Sequence, residues 1–199
     1  MKALHLFLAA GAVLAFAACG GNAEKLEDVE VQMASLNVDT ENSALGWKGS
    51  KNPEYFHIGN VKFSGGQANF IDGNLMSGNF AVDMTSIKSL DVELPDEKKT
   101  MLISHLNSPT FFDIINNAKV EVKCGAITDG KLPITIIISG KEIKQNIDVK
   151  VTYEEGKGSI SGIFDVDFSD LDVAGFKPKE GETEYVLPVI TFDLNLQLK

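Results

Sequence analysis

Polar and apolar residues alternate with a period of two along most of this chain. The pattern is clearest in the last ten residues, where polar residues separate Ile190, Phe192, Leu194, Leu196 and Leu198. Such alternation is typical of a strand that buries one face and exposes the other. It recurs so often along the chain that we predict an all-β protein.

Short glycine-containing turns separate the predicted strands. The strands cover residues 35–39, 43–49, 55–63, 67–71, 75–83, 119–126, 134–138, 143–153, 159–167 and 185–198. Asp72-Gly73 and Asp129-Gly130 favour tight hairpins, and Gly65-Gly66 favours a bulge or a sharp bend. Because one face of so many long strands is apolar, we expect a lipocalin-like antiparallel β-barrel of about eight strands. A membrane-spanning barrel would also alternate, but the lysines and aspartates scattered along the polar face argue against it.

One segment between the strands does not alternate. Asp96–Asn107 is predicted to form a short helix, which Pro109 brings to an end. Four residues are spaced to share one face of this helix: Met101, Leu102, His105 and Leu106. Phe111 and Phe112 follow as a bulky apolar pair. This segment is therefore predicted to close or gate one end of the barrel.

The N-terminus has the pattern of a bacterial export signal. Residues 1–18 are predicted to be a signal peptide, with Lys2 before an apolar run. The run ends in Phe-Ala-Ala followed by Cys19, which resembles the lipobox of bacterial lipoproteins, where the cysteine carries acyl chains such as palmitate. We expect residues 19–33 to be a flexible tether and residues 34–199 the barrel domain. The alternative is an ordinary signal peptide followed by a chance cysteine.

These features predict a location and exclude one class of partner. A lipidated Cys19 would anchor the protein to a membrane of the bacterial cell envelope, facing the periplasm. The chain contains no arginine, and removal of the leader leaves a net charge of −11. Such an acidic chain is not expected to bind nucleic acid. Cys124 alternates with Val120 and Val122, so we interpret it as a buried apolar residue without a disulfide partner.

No pattern of catalytic or metal-binding residues stands out. After the leader only two histidines remain, His57 and His105, and their spacing matches no metal motif. The aspartates between residues 165 and 172 do not fit a calcium loop. We predict no enzyme activity, no cofactor and no metal. The histidines are predicted to bind backbone carbonyl groups, and a second hypothesis places them at the polar end of a ligand.

Several segments match the motifs of one known family. They are His57-Ile58-Gly59, Gly65-Gly66, Val82-Asp83-Met84, His105-Leu106-Asn107-Ser108 and Phe111-Phe112-Asp113. With these segments the chain resembles the YceI-like lipid- and polyisoprenoid-binding family. The resemblance implies an extended barrel whose apolar interior holds a polyisoprenoid, an isoprenoid quinone or a similar long amphiphile.

The strand pattern and the resemblance define a set of candidate ligand-binding residues. Twelve come from inward-facing strand positions: Phe63, Phe80, Val82, Met84, Val120, Val122, Ile147, Val149, Ile160, Phe164, Ile190 and Phe192. Phe111 and Phe112 are added from the predicted gate, and His57 and His105 are added because both match family positions and could bind the polar end of the ligand. The sequence leaves two alternatives open: an envelope interaction module with a packed core, and an enzyme that uses a histidine. It also leaves the oligomeric state open, including a dimer.

Overall fold

The structure is a computed structural model that describes residues 31–178 and 185–199. The predicted signal peptide and most of the predicted tether lie outside the described residues. The strands are β1 (Met33–Asn37), β2 (Ala44–Ser50), β3 (Phe56–Ile71), β4 (Asn74–Ser89), β5 (Lys119–Cys124), β6 (Leu132–Ile138), β7 (Lys141–Ile147), β8 (Lys150–Glu154), β9 (Lys157–Asp167) and β10 (Val189–Leu198). Helix α1 covers Asp96–Leu106, and a 3₁₀ helix covers Ala174–Phe176.

All the strands belong to one antiparallel sheet. Its order is β7-β6-β5-β4-β3-β2-β10-β9-β8, and β1 pairs with β3. β7 and β8 lie at opposite ends of this order, yet only two residues of chain separate them. The sheet must therefore curl round on itself. This confirms the predicted lipocalin-like architecture, with ten strands where we expected about eight.

The sheet meets itself along a seam between β7 and the end of β9. Gln145 of β7 donates from Nε2 to the carbonyl oxygen of Asp165 at 2.9 Å. Lys141, at the start of β7, donates from Nζ to the carbonyl oxygen of Asp170 at 3.2 Å. Within the described part of the chain no strand pairing spans this seam. Hydrogen bonds from side chains therefore connect β7 and β9. In a complete barrel, hydrogen bonds between the two backbones would connect them.

Two predicted strand boundaries were wrong for identifiable reasons. The segments 55–63 and 67–71 form the single strand β3. Gly65 and Gly66 adopt φ of 153° and 142° and form a bulge, which was one of the two predicted alternatives, and this bulge does not interrupt the strand. The segment 143–153 is divided into β7 and β8. The chain leaves the edge of β6 at Ile147 and joins the edge of β9 at Lys150.

The strand directions give the barrel two different ends. The end called here the helix end carries α1, the β2–β3 loop, the β6–β7 turn and the segment between β9 and β10. The opposite end, the hairpin end, carries the β3–β4 and β8–β9 turns. Gln32, at the start of the described chain, donates from its backbone N–H to Oδ1 of Asp72 at 2.9 Å. The described chain therefore begins at the hairpin end.

The hairpin end is solid. Its buried side chains include Leu36, Ala68, Phe70, Leu75 and Leu198, which are between 0% and 7% exposed. The ring of Phe70 packs against that of Tyr153 with centroids 4.9 Å apart. β1 covers this end by pairing with residues 67–71 of β3. These side chains therefore pack the part of the barrel that β1 covers.

The helix was predicted at the right place, but only two of the four residues predicted to share one face pack against the core. It ends at Leu106, one residue before the predicted end. Met101 is 64% exposed and His105 is also exposed, whereas Leu102, Ile103 and Leu106 pack against the core. The helix lies on the rim of the barrel and buries no residue completely. Among the described residues no helix is long and apolar enough to cross a bilayer.

Asp39 connects the β1–β2 turn to the C-terminus and makes the stability of the fold depend on pH. It accepts hydrogen bonds from Asn42 Nδ2 and Lys199 Nζ, both at 2.9 Å. The hydrogen bond from Asn42 and the lysine charge lower the pKa of Asp39 from 3.8 to about 2. Because the pKa is lowered by folding, this stabilisation is present above about pH 4 and is lost as the pH falls towards 2.

We therefore expect Asp39→Asn to lower the free energy of unfolding at neutral pH. The difference from the wild type should become smaller as the pH falls from about 4 to 2. Urea unfolding of both proteins at several pH values measures this difference. Asp193→Asn, which removes an exposed carboxylate from β10, controls for the loss of one negative charge. An effect of Asp39→Asn that stays constant over this pH range would contradict the prediction.

Candidate functional site

The curled sheet encloses an apolar cavity of about 150 Å³. Thirty residues line it, and their side chains are aliphatic, aromatic or sulfur-containing, apart from one glycine. β6 shows how the sequence builds this wall, because Leu132, Ile134, Ile136 and Ile138 are buried in strict alternation. No lysine, aspartate or glutamate contributes to the wall among the described residues. The site is therefore suited to an apolar guest.

Most of the candidate ligand-binding residues lie in this wall. Those that line the cavity are Phe63, Phe80, Val82, Met84, Phe111, Phe112, Val120, Val122, Ile147, Ile160, Phe164, Ile190 and Phe192. Val149, His57 and His105 do not. Val149 lies at the break between β7 and β8 and packs close to Gly162. The part that each wall residue plays in binding stays a prediction.

Sequence reasoning missed several wall residues. Leu45 and Trp47 are on the short strand β2, and Leu194 is on β10; all three contribute side chains to the cavity. The sequence pattern could have identified Leu194, because it follows Ile190 and Phe192 at the same spacing of two residues. Phe168 and Phe176 also line the cavity, but they lie outside the strands, where no period marks an inward position.

Aromatic side chains close the cavity at the helix end. We call Phe111, Phe112 and Phe176 the aromatic lid. Phe176 contacts Phe111 at a centroid distance of 5.7 Å and Phe112 at 6.2 Å, both edge to face. The lid thus joins the segment after α1 to the segment after β9, which are far apart in sequence. It occupies the place where Phe111 and Phe112 were predicted to form a plug.

A backbone contact holds the two halves of the lid together. The N–H of Gly175 donates to the carbonyl oxygen of Thr110 at 2.7 Å. A Cβ atom at position 175 would lie 2.4 Å from the ring of Phe111, so only glycine fits without displacing that ring. The rest of the lid consists of segments outside the sheet. The lid is therefore the part of the wall least constrained by strand pairing.

The two histidines lie outside the cavity, near its helix end. Nδ1 of His57 is 3.0 Å from Oδ2 of Asp91, which also accepts from Ser89 Oγ at 2.7 Å. The partner predicted for His57 was a backbone carbonyl, and this prediction was wrong because Asp91 follows β4 directly beside the start of β3. His105 meets Phe111 edge to face at 4.9 Å. The histidines therefore support the strand junction and the lid.

Cys124 is the reactive group nearest to the cavity, and burial suppresses its reactivity. It lies in the wall, 8% exposed, and burial raises the pKa of its thiol to about 12. Roughly one thiol in 10⁴ is then ionised at pH 8, and the thiolate is the nucleophile. We expect the native protein to resist alkylation by iodoacetamide at pH 8 and the urea-unfolded protein to react readily. Peptide mass mapping measures this at Cys124, and rapid alkylation of native protein would contradict it.

Comparison with known proteins identifies the family and finds structures with the same fold. The family model of the YceI-like domain matches residues 36–198. BcnA of Burkholderia cenocepacia has a similar structure, with a TM-score of 0.62 at 19% identity over 80% of this chain and 98% of that one. A polyisoprenoid binding domain from Saccharophagus degradans gives 0.59 at 10% identity over 84% and 99%.

At these identities the two structures establish a common fold. No protein in the search of curated sequences matches this chain significantly. The family match covers most of the chain, including every strand from β2 to β10. The chain therefore belongs to the family of proteins with a YceI-like domain.

Proposed function

We propose that this protein binds a polyisoprenoid or a similar long apolar molecule inside the barrel. The observation that carries the proposal is a cavity inside the curled sheet whose wall is wholly apolar among the described residues, with the aromatic lid at its helix end. The solved Saccharophagus degradans domain of the same fold is described as polyisoprenoid binding. Family membership and this description support a binding function without a chemical step.

The hydrophobic effect supplies the driving force. Burial of one CH₂ group is worth about 0.8 kcal/mol, so an isoprene unit of five carbons gains on the order of 4 kcal/mol in a dry cavity. Among the described residues, no side chain of the wall carries a charge that would need to be desolvated when the chain enters. A carrier of this kind would let an apolar molecule cross an aqueous compartment.

The size of the cavity limits what fits without rearrangement. An apolar cavity of about 150 Å³ accepts a guest of roughly the size of benzene. One isoprene unit fits, and a longer chain requires wall side chains to move. Phe164, Phe192 and Leu194 point inward and are only half-buried, so they have room to rotate. We propose that the barrel widens as a long chain enters past the aromatic lid.

Membrane anchoring is a further part of the proposal. The Cys19 motif supports a lipoprotein held at a bacterial envelope membrane and facing the periplasm. The tether would join the barrel at Gln32, which is hydrogen-bonded to the β3–β4 turn of the hairpin end. Because the lid lies at the opposite end, an upright barrel would direct its lid away from the anchoring membrane. This orientation would suit delivery to a partner or to another membrane.

A solvent extract tests the function. The protein is purified from cells, washed to remove loosely bound lipid and extracted with organic solvent, and the extract is analysed by mass spectrometry. We expect one class of long apolar molecule in near-stoichiometric amount. An extract without such a molecule, combined with failure of the protein to take up an added isoprenoid, would contradict the proposal and favour an interaction module with a packed core.

A further inference from the structure

Exposed apolar side chains cluster at the helix end of the barrel. We call five of them the rim patch: Tyr55, Phe56, Ile58, Leu90 and Val92, which are between 38% and 88% exposed. They lie in the β2–β3 loop, at the start of β3 and just after β4. The two strands hold them side by side, since the N–H of Leu90 donates to the carbonyl oxygen of Ile58 at 2.9 Å. A large exposed apolar patch marks a surface that contacts a partner or a membrane.

The rim patch adjoins the mouth of the cavity. His57, between two patch residues on β3, pairs across strands with Gly49, which lines the cavity. The ring of Tyr55 meets the ring of His57 edge to face at a centroid distance of 5.4 Å. Helix α1 begins shortly after Val92 and leads into the aromatic lid. Any surface that contacts the rim patch therefore lies beside the lid.

Lysine side chains accompany the aromatic residues of the rim patch. Nζ of Lys48 lies 4.1 Å from the centroid of the Phe56 ring, and Nζ of Lys51 lies 5.5 Å from that of Tyr55. Such pairs are typical of proteins at a membrane surface, where the ring enters the acyl boundary and the ammonium group reaches the phosphates. The rim patch therefore combines the two chemistries that a phospholipid surface offers.

The charges around the rim patch balance, although the whole chain carries a net charge of −10. Segments 48–58 and 88–93 contain as many lysines as carboxylates, namely Lys48, Lys51, Lys88, Glu54, Asp91 and Glu93. The carboxylate of Asp91 also accepts the N–H of Ile58 at 3.0 Å and contacts His57 at 3.0 Å. The rim patch therefore suits a bilayer of neutral lipids, and the acidic remainder of the chain disfavours a strongly anionic one.

A second copy of the chain fits the rim patch less well than a bilayer does. In a two-fold symmetric contact the same patch of both copies meets itself, so Lys48 and Lys51 of one copy would approach those of the other. The two acidic chains would also repel each other. A bilayer accepts the apolar side chains and the lysines together without this repulsion.

We propose that the rim patch docks onto the surface of a phospholipid bilayer of neutral net charge and brings the aromatic lid against it. The docking surface goes beyond the proposed function, whereas ligand exchange at this surface rests on that function. An apolar molecule could then pass between the bilayer and the barrel without crossing water. The described chain begins at the hairpin end, with Gln32 bound to Asp72, so the rim patch is at the end opposite the predicted tether.

A local fluorescent probe tests the docking independently of how the N-terminus is held. In the full chain with Cys19→Ser, Val92→Cys is labelled with nitrobenzoxadiazole, which emits more strongly in apolar surroundings. Cys124 is buried and stays unlabelled in the native protein. With vesicles of phosphatidylcholine and phosphatidylethanolamine, we expect the emission to rise about threefold and to shift to the blue as the label enters the acyl boundary. The same label on Ile163→Cys, at a position that is 68% exposed on β9, should respond little.

A charge placed in the rim patch provides an independent test. With the label on Tyr55→Cys, we expect Val92→Asp to raise the lipid concentration that gives half of the full response by about tenfold, because the carboxylate must be desolvated in the bilayer. Ile163→Asp introduces the same charge on the outer face of β9 and should leave this concentration unchanged. Because Val92 and Ile163 are exposed, thermal unfolding should find both variants folded.

The outcomes identify the occupant of the rim patch and separate this inference from the proposed function. Labels at Val92 and Tyr55 that respond no more than the label at Ile163 would overturn the docking surface. A response that grows with protein concentration in the absence of vesicles would overturn it in favour of a second copy of the chain. Responding labels combined with an empty solvent extract would support the docking surface and remove the proposed ligand.

Discussion

Leu194→Trp is expected to lower the amount of apolar ligand that co-purifies with the protein by at least tenfold. Leu194 points into the cavity from the middle of β10, where its cross-strand neighbours are Leu45 on β2 and Gly162 on β9. An indole at this position would occupy much of a cavity of only about 150 Å³. Since the guest and the new side chain compete for the same volume, the guest is excluded.

A neighbouring residue provides the matched control. Ile163 on β9 is 68% exposed and faces outward, and Ile163→Trp introduces the same side chain outside the barrel. We expect this variant to retain ligand as the wild type does. Overpacking costs about 1–3 kcal/mol, so thermal unfolding must show that Leu194→Trp is still folded at the temperature of purification. Equal ligand content in a folded Leu194→Trp and in Ile163→Trp would contradict a lumenal binding site.

The strands that bury one face regularly could be predicted from the sequence. β9 and β10 alternate between more and less buried positions as the residue pattern predicts, and this pattern placed Ile160, Ile190 and Phe192 in the wall. Period-two burial follows from the pleat of the backbone, so residue type alone reveals it. The segment from Asp96 was predicted as helix because the same period is interrupted there.

The parts that could not be predicted depend on contacts between distant segments. Phe111 was predicted at the gate, but Phe176 reaches it across more than sixty residues, and nothing local marks Phe176 as the other half of the lid. Asp91 was not recognised as the partner of His57 because their contact depends on where β4 ends beside β3. The volume of the cavity is also not a local property, since it is the difference between the space within the barrel and the summed volumes of inward side chains.

Gly59→Ala is expected to destabilise the protein by about 3 kcal/mol or more, which is the largest effect on stability that we predict for a single methyl group. A Cβ atom here would lie 2.0 Å from the carbonyl oxygen of Lys88 and 2.3 Å from the indole of Trp47. The first of these atoms belongs to the backbone of β4 and cannot rotate away. The paired strands must separate, which costs more than ordinary overpacking.

The same substitution connects stability with the binding site. If β3 and β4 separate at Gly59, the indole of Trp47 loses its support, and its fluorescence should shift towards the red as water reaches it. Gly49→Ala is the control, because a Cβ atom at Gly49 on β2 would meet nothing within 4 Å, and it should change stability by less than about 1 kcal/mol. Thermal unfolding followed by tryptophan emission measures both variants. Equal midpoints for the two variants would contradict the close packing of Trp47 against β3.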